Sequence, residues 1–384
     1  MSRLRPVILR PRPPLGILPA GLLLAAAAAP LPAAQALHPS EDAAFAQALG
    51  LREVALRAEP GLELWVEEPK TLKVLEEPVA VAWKEALAIL PEPAPDTVPP
   101  IRIVVLAEED SIRAYARLFA PECARLGIAP PPERFYDDAA RLGSGRWSYP
   151  PLCLIRSART SSQLVLTRAV HDLGALRISL AASEQAYGVP EFLVEGFAGM
   201  LVRRAVKKPT ALVSHQGAAL KETLHGYGVF AGIGEAMNDA SNHPGNWPTV
   251  MRTAARAWDR KKVIDPDERI DALLLRTPEE FSRADYAYSW AVTEFLLDDR
   301  YPVGEEAAAA AADRKWKPGE PPERNRRAML LAVFRTMRHP NYRLADAGVR
   351  ARLILDFLAR DCGEDADSLH AAFRHWLATG LPKR

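Results

Sequence analysis

Two short segments carry side chains able to do chemistry together. The first is Ala169-Val170-His171-Asp172-Leu173-Gly174-Ala175-Leu176, inside a strong helical pattern, and the second is Val189-Pro190-Glu191-Phe192-Leu193-Val194-Glu195-Gly196-Phe197-Ala198. A metal ion that activates water needs three protein donors and an open position, with a carboxylate nearby to take a proton from the bound water. Two histidines four apart on one helical face, a Glu beside the first and a Glu from a following helix meet that need. Here His171 supplies an imidazole and Glu195 a carboxylate, 24 residues apart, which leaves room for one helix to end and another to return antiparallel. Pro190 suits a first helical position, and the small residues in Glu195-Gly196-Phe197-Ala198 permit close helix packing.

These segments resemble the peptidase MA-like, or gluzincin, superfamily of zinc metallopeptidases, in which His-Glu-x-x-His is followed by a helix bearing a Glu-Gly-x-Ala-like segment. The likeness covers roughly residues 60–300. It implies that the strand before the first motif helix, Leu152–Arg156, is the edge strand that holds extended substrate. It also implies that the helix opened by Tyr286-Ala287-Tyr288-Ser289-Trp290-Ala291-Val292 packs behind the site. Tyr286 or, better, Tyr288 is then a candidate for stabilising an oxyanion. The recurrence of Tyr286, Tyr288, Trp290 and Phe295 near helical spacing also fits plain core packing.

The departures from that pattern are chemically pointed. Ala175 stands where the second histidine belongs, and a methyl group has no lone pair to give. Asp172 stands at the general-base position, with its carboxylate one methylene nearer the backbone. A misplacement of about an ångström costs roughly a hundredfold in rate even with metal in place. His171 and Glu195 are thus vestigial metal ligands, and no cofactor is expected. Zinc enters only if another side chain completes the set, for which His215, His225 and His243 are the downstream choices. Without metal a buried Glu195 needs a cation or a donor, and His171 is the natural partner, directly or through water. Asp172 has Arg168 and Arg177 within helical reach.

Three functions follow. The first is an exported gluzincin-like pseudopeptidase that binds peptide or protein along the former cleft without cutting it. The second is a working zinc metallohydrolase with Asp172 as base and a substituted ligand. The third is an unrelated helical envelope protein. Neither a Gly-rich phosphate loop nor a Gly-x-Ser-x-Gly elbow is present.

The elements that must position these residues read as an α+β fold, with a small mixed N-terminal part and a larger helix-dominated part. Strands are expected at Leu62–Val66, Ile101–Leu106 and Leu152–Arg156, from short apolar runs rich in β-branched residues. Helices are expected over 41–51, 71–90 with a break near Pro78, 111–119, 164–180, 190–202, 273–275 and 286–297. The proline-rich 91–100 reads as a linker, residues 120–150 as loops with brief helical turns, and 305–323 as a solvated helix and loop. His370 and His375, five apart, diverge around a helix and read as surface residues. The chain divides into a leader (1–36), a mixed part (37–157), a helical part with the motif helices (158–300), and a linker with C-terminal helices (301–384).

Residues 1–36 have the layout of a secretory leader: Arg3, Arg5, Arg10 and Arg12 precede an apolar core from Gly21 to Ala29, with no acid. Ala34-Gln35-Ala36 offers a cleavage site, and prolines interrupt the core too often for a membrane span. A periplasmic or extracellular location with no stable membrane span follows. The whole-chain charge of +1 includes those four arginines, which leaves the remainder at −3 and provides no basic footprint for nucleic acid. Three cysteines are too few for a disulfide scaffold; Cys123 with Cys153 is a candidate pair, and buried free thiols are the equal alternative.

Overall fold

Apolar runs with no polar alternation are suited to strands covered on both faces, and Ile101–Leu106 and Leu152–Arg156 take that place in the computed structural model. The structure describes residues 55–90, 99–158, 160–182, 188–210, 243–261, 269–276, 281, 283–312, 324–339, 341–342 and 345–379. The leader, the helix over 41–51, most of the proline-rich linker, His215 and His225 fall outside the described residues.

Five strands form one sheet in the order β1-β2-β3-β5-β4: β1 Ala55–Glu59, β2 Leu62–Val66, β3 Ile101–Leu106, β4 Ser144–Trp147 and β5 Leu152–Arg156. β2, β3 and β5 run parallel, while β1 and β4 pair antiparallel at the two edges. The strand at Leu152–Arg156 is therefore interior, and the edge position expected of it belongs to β4. Successive side chains alternate faces. Ile103, Val105, Cys153 and Ile155 point into the larger core, and Val104, Leu106, Leu152 and Leu154 into the smaller.

The smaller core is closed by α2 (Glu109–Arg125) and α3 (Glu133–Leu142), and the larger is begun by α1 (Pro69–Ile89). Residues 120–150 thus hold regular structure where loops were expected: the end of α2, all of α3 and β4. The break expected at Pro78 is also corrected, since α1 continues through it, as α2 does through Pro121. Each proline deprives the carbonyl four residues earlier of its partner. Those residues are Val74 and Arg117, both exposed, so each proline lies beside a solvent-facing position of its helix.

The larger core is completed by helices. They are α4 (Ser162–Ala182), α5 (Glu191–Ala205), α6 (Trp247–Lys261), α7 (Ile270–Leu275), α8 (Arg283–Leu297), α9 (Glu305–Ala312), α10 (Arg326–Met337), α11 (Ala347–Cys362) and α12 (Ala366–Thr379). α4 lies on β5 and β3, α5 on α4, and α8 on α5. Two glycines make that stacking close. A Cβ at Gly174 would come within 2.8 Å of the Ala198 Cα, and one at Gly196 would overlap the Ser289 carbonyl and the Thr293 hydroxyl. Pro190 caps α5 and lies just outside its first turn.

All described residues belong to one compact unit, Pro32–Arg384. Among them no helix is long and apolar enough to cross a membrane. His370 is buried and His375 is half-buried with its Nδ1 2.7 Å from the Tyr301 hydroxyl, so neither is the surface residue expected. Cys123 and Cys153 are free and sit in different cores on opposite faces of the sheet, which excludes their bridge in this fold.

Candidate functional site

A helix buried all round cannot leave a polar side chain without a partner. From Val165 to Ala182 α4 is such a helix, half-buried only at Arg168, and it carries His171 and Asp172 into the interior. Glu195 arrives from the neighbouring α5, its side chain fully inaccessible. The two motif helices face each other as their spacing required, with His171 Nε2 3.0 Å from Glu195 Oε2. That is an ion-pair distance, although the ring nitrogen is not aligned for a hydrogen bond. The other ring nitrogen, Nδ1, lies 3.2 Å from Asp172 Oδ1, so the imidazole stands between two carboxylates. Burial alone would pull the ring's pKa down, but the Glu195 and Asp172 charges outweigh it and lift it to about 9.

The sequence reading missed a participant. Arg146 reaches into the cluster from the edge strand β4 and donates from Nη2 to Glu195 Oε1 at 3.1 Å. Its Nη1 lies 3.7 Å from Asp172 Oδ1, and its Nη2 lies 3.9 Å from Glu191 Oε1. Burial disfavours the guanidinium charge, yet the Glu195, Asp172 and Glu191 carboxylates more than compensate, and its pKa rises. Glu191, one turn before Glu195 on α5, is pushed up to about 7 by burial and then by the Glu195 charge, against the pull of Arg146. The one available signal for Arg146 was indirect: a buried acid demands a cation, and an arginine in the segment leading into Leu152–Arg156 was on offer.

Asp172 has further company. The Cys153 thiol on β5 donates to its Oδ2 at 3.3 Å, and burial and then the Asp172 charge raise the thiol's pKa, which keeps it a donor. Of the two arginines expected near Asp172, Arg168 feels its charge while burial lowers the Arg168 pKa. Arg177 donates through Nη2 to the Leu90 carbonyl at 3.1 Å, beneath the Trp83 ring.

Among the described residues the donors at this cluster fall short of the three that a catalytic zinc ion ordinarily takes from protein. Ala175 is buried with only a methyl to present, so α4 offers His171 as its one imidazole to the cluster. Arg146 already places a positive charge against Glu195, where a cation's ligand would be needed. Among the described residues no group of three or more His, Cys, Asp or Glu is arranged to hold a metal. His243, a proposed replacement, accepts from the Gly245 amide through Nδ1 at 3.1 Å and caps a short 3-10 turn, Pro244–Asn246.

Tyr288 is buried in α8 with its ring centroid 5.5 Å from that of Phe373, and Tyr286 is 5.5 Å from Phe281. Both belong to the larger core, as does Trp290 beside them. No family model, no curated protein and no solved structure matches the chain.

Proposed function

We propose that the chain is an exported pseudopeptidase, a gluzincin-like shell that holds extended peptide and leaves it uncut. The observation that carries this reading is the guanidinium of Arg146 set against Glu195 and Asp172. A peptidase of that kind needs a cation there that polarises water and a carbonyl. A guanidinium supplies charge but no open coordination position, so it neutralises the carboxylates without activating water.

Peptide capture is supported by the strand that carries Arg146. β4 pairs only with β5 among the described residues. Gly143 pairs with Arg156 through its carbonyl, so the alternation of an antiparallel ladder turns the backbone groups of Gly145 and Trp147 toward β5. Those of Ser144 and Arg146 therefore point away from the sheet. Such an edge accepts an added strand, with main-chain hydrogen bonds giving affinity and neighbouring side chains giving selectivity.

The test uses a library of extended decapeptides with the purified chain. Binders are expected to survive a chelator, to be recovered intact by mass spectrometry, and to weaken at least tenfold when alternate peptide nitrogens are methylated. Chelator-sensitive cleavage would replace this reading with the working metallohydrolase. Binding indifferent to backbone methylation would remove strand addition.

A further inference from the structure

A concavity lies in the C-terminal helices, apart from the Arg146 cluster. α10 and α11 flank an open trough of about 590 Å³, within the usual size range of small-molecule sites. Its floor is apolar: Ala328, Met329 and Ala332 from α10, Phe357 and Cys362 from α11, and Val303 ahead of α9. The two alanines recur at helical spacing and end at Cβ, which hollows the α10 face where larger side chains would fill it. The lining runs along α10 from Asn325 to Thr336, about 16 Å of helix axis.

The rim has a different character. Arg324 stands near the start of α10, while Arg335 and His339 stand at its far end. Among the described residues the only acid on the lining is Asp361, whose carboxylate lies 2.9 Å from Arg360 and whose carbonyl accepts from Arg324. Arg335 is exposed and has no carboxylate partner among the described residues.

We propose that this trough binds a monoacyl carboxylate, with the alkyl chain along the α10 face and the head group at Arg335 and His339. An elongated apolar floor with a cationic end complements a ligand with an apolar body and one anionic end. A neutral chain would gain nothing from Arg335, and a short anion would leave the floor wet.

The probe is decanoate, titrated calorimetrically into the full chain below the concentration at which it forms micelles, with decanol and butyrate alongside. One decanoate per chain is expected, with decanol and butyrate each at least tenfold weaker. Ala332→Trp, which fills the trough, should weaken decanoate at least tenfold. Arg335→Glu, a change at an exposed position that leaves the floor intact, should weaken it at least fivefold with only a small drop in melting temperature, since it also removes a cation from the last turn of α10. The proposal is overturned if decanoate does not bind stoichiometrically, if decanol binds equally well, or if Arg335→Glu leaves affinity unchanged. Binding that appears only after residues 313–323 are deleted would assign the trough to that segment and also overturn it. Peptide binding at β4 is measured separately, so either proposal can fail without the other.

Discussion

A carboxylate with no solvent contact is tolerable only while its counter-charge stays in place, and Glu195 depends on two cations that come from distant parts of the chain. His171 lies 24 positions before it, and Arg146 lies 49. Removing one partner of such a buried set is far costlier than the net value of the interaction, because the remaining charge is stranded. Arg146→Ala is therefore expected to cost about 3–5 kcal/mol of folding stability. Adding Glu195→Gln, which removes the stranded charge, should return at least half of that. Urea unfolding of the two single variants and the double variant measures the coupling; a loss under about 1 kcal/mol in Arg146→Ala would show that the guanidinium does not hold the cluster. The same residues show where reading the chain alone stops. The facing of His171 and Glu195 was legible because helical periodicity and the length of the turn between the motifs are local properties. The identity of the cation was not, since it depends on which edge strand pairs with β5.

At the scale of elements, the helices that carry the site are held by approach distances that only the smallest residue allows. The Gly196 backbone rests against the Ser289 carbonyl on α8, and a backbone oxygen cannot swing aside as a long side chain can. Gly196→Ala should therefore cost about 3 kcal/mol, the upper end for overpacking a tight core. Gly348, in the first turn of α11, gives the contrast: an added Cβ would find its nearest neighbour at 3.6 Å, an ordinary contact. Gly348→Ala should instead stabilise by about 0.5–1 kcal/mol through helix propensity. Thermal melts of the two variants should shift in opposite directions, and equal shifts would contradict the packing argument. Element type was readable wherever composition and period agreed, as in the β-branched run of β3 and the apolar spacing of α4, α5 and α8. It failed at β4, whose four residues Ser-Gly-Arg-Trp have no apolar alternation and take strand form only by pairing with β5. It also failed at Pro78, where α1 continues on the apolar spacing of Leu75, Val79, Ala82 and Ala86 packed in the larger core, which a proline alone does not report.

Across the whole molecule, two sets of buried ionisable groups bias stability in opposite pH directions, one beside the sheet edge and one among the C-terminal helices. In the first, His171 has its pKa lifted from 6.5 to about 9. A raised folded-state pKa stabilises fully below the unfolded value and loses that contribution as pH climbs through 9. Glu191, lifted from 4.5 to about 7, has the same sign, and its contribution is lost as pH rises through 7. In the second, burial and then the Arg269 and Arg374 charges lower His370 from 6.5 to about 4, while Asp271 and Asp367 partly oppose them. A lowered folded-state pKa gives a contribution present above 6.5 and lost as pH falls through 4. Stability should accordingly decline from pH 6.5 to 9 as His171 and Glu191 lose their protons in the folded state. Below pH 6.5 the His370 loss runs against the Glu191 gain. Replacing His370→Gln removes the acid-side loss alone, so the variant should keep about 1–2 kcal/mol more of its pH 6.5 stability at pH 5 than the unaltered chain does. Urea midpoints at pH 5, 6.5 and 9 for both chains decide the matter. Identical acid limbs would show that His370 is not the group being protonated on unfolding, whereas a matching alkaline decline in both would leave that limb to the Arg146 cluster.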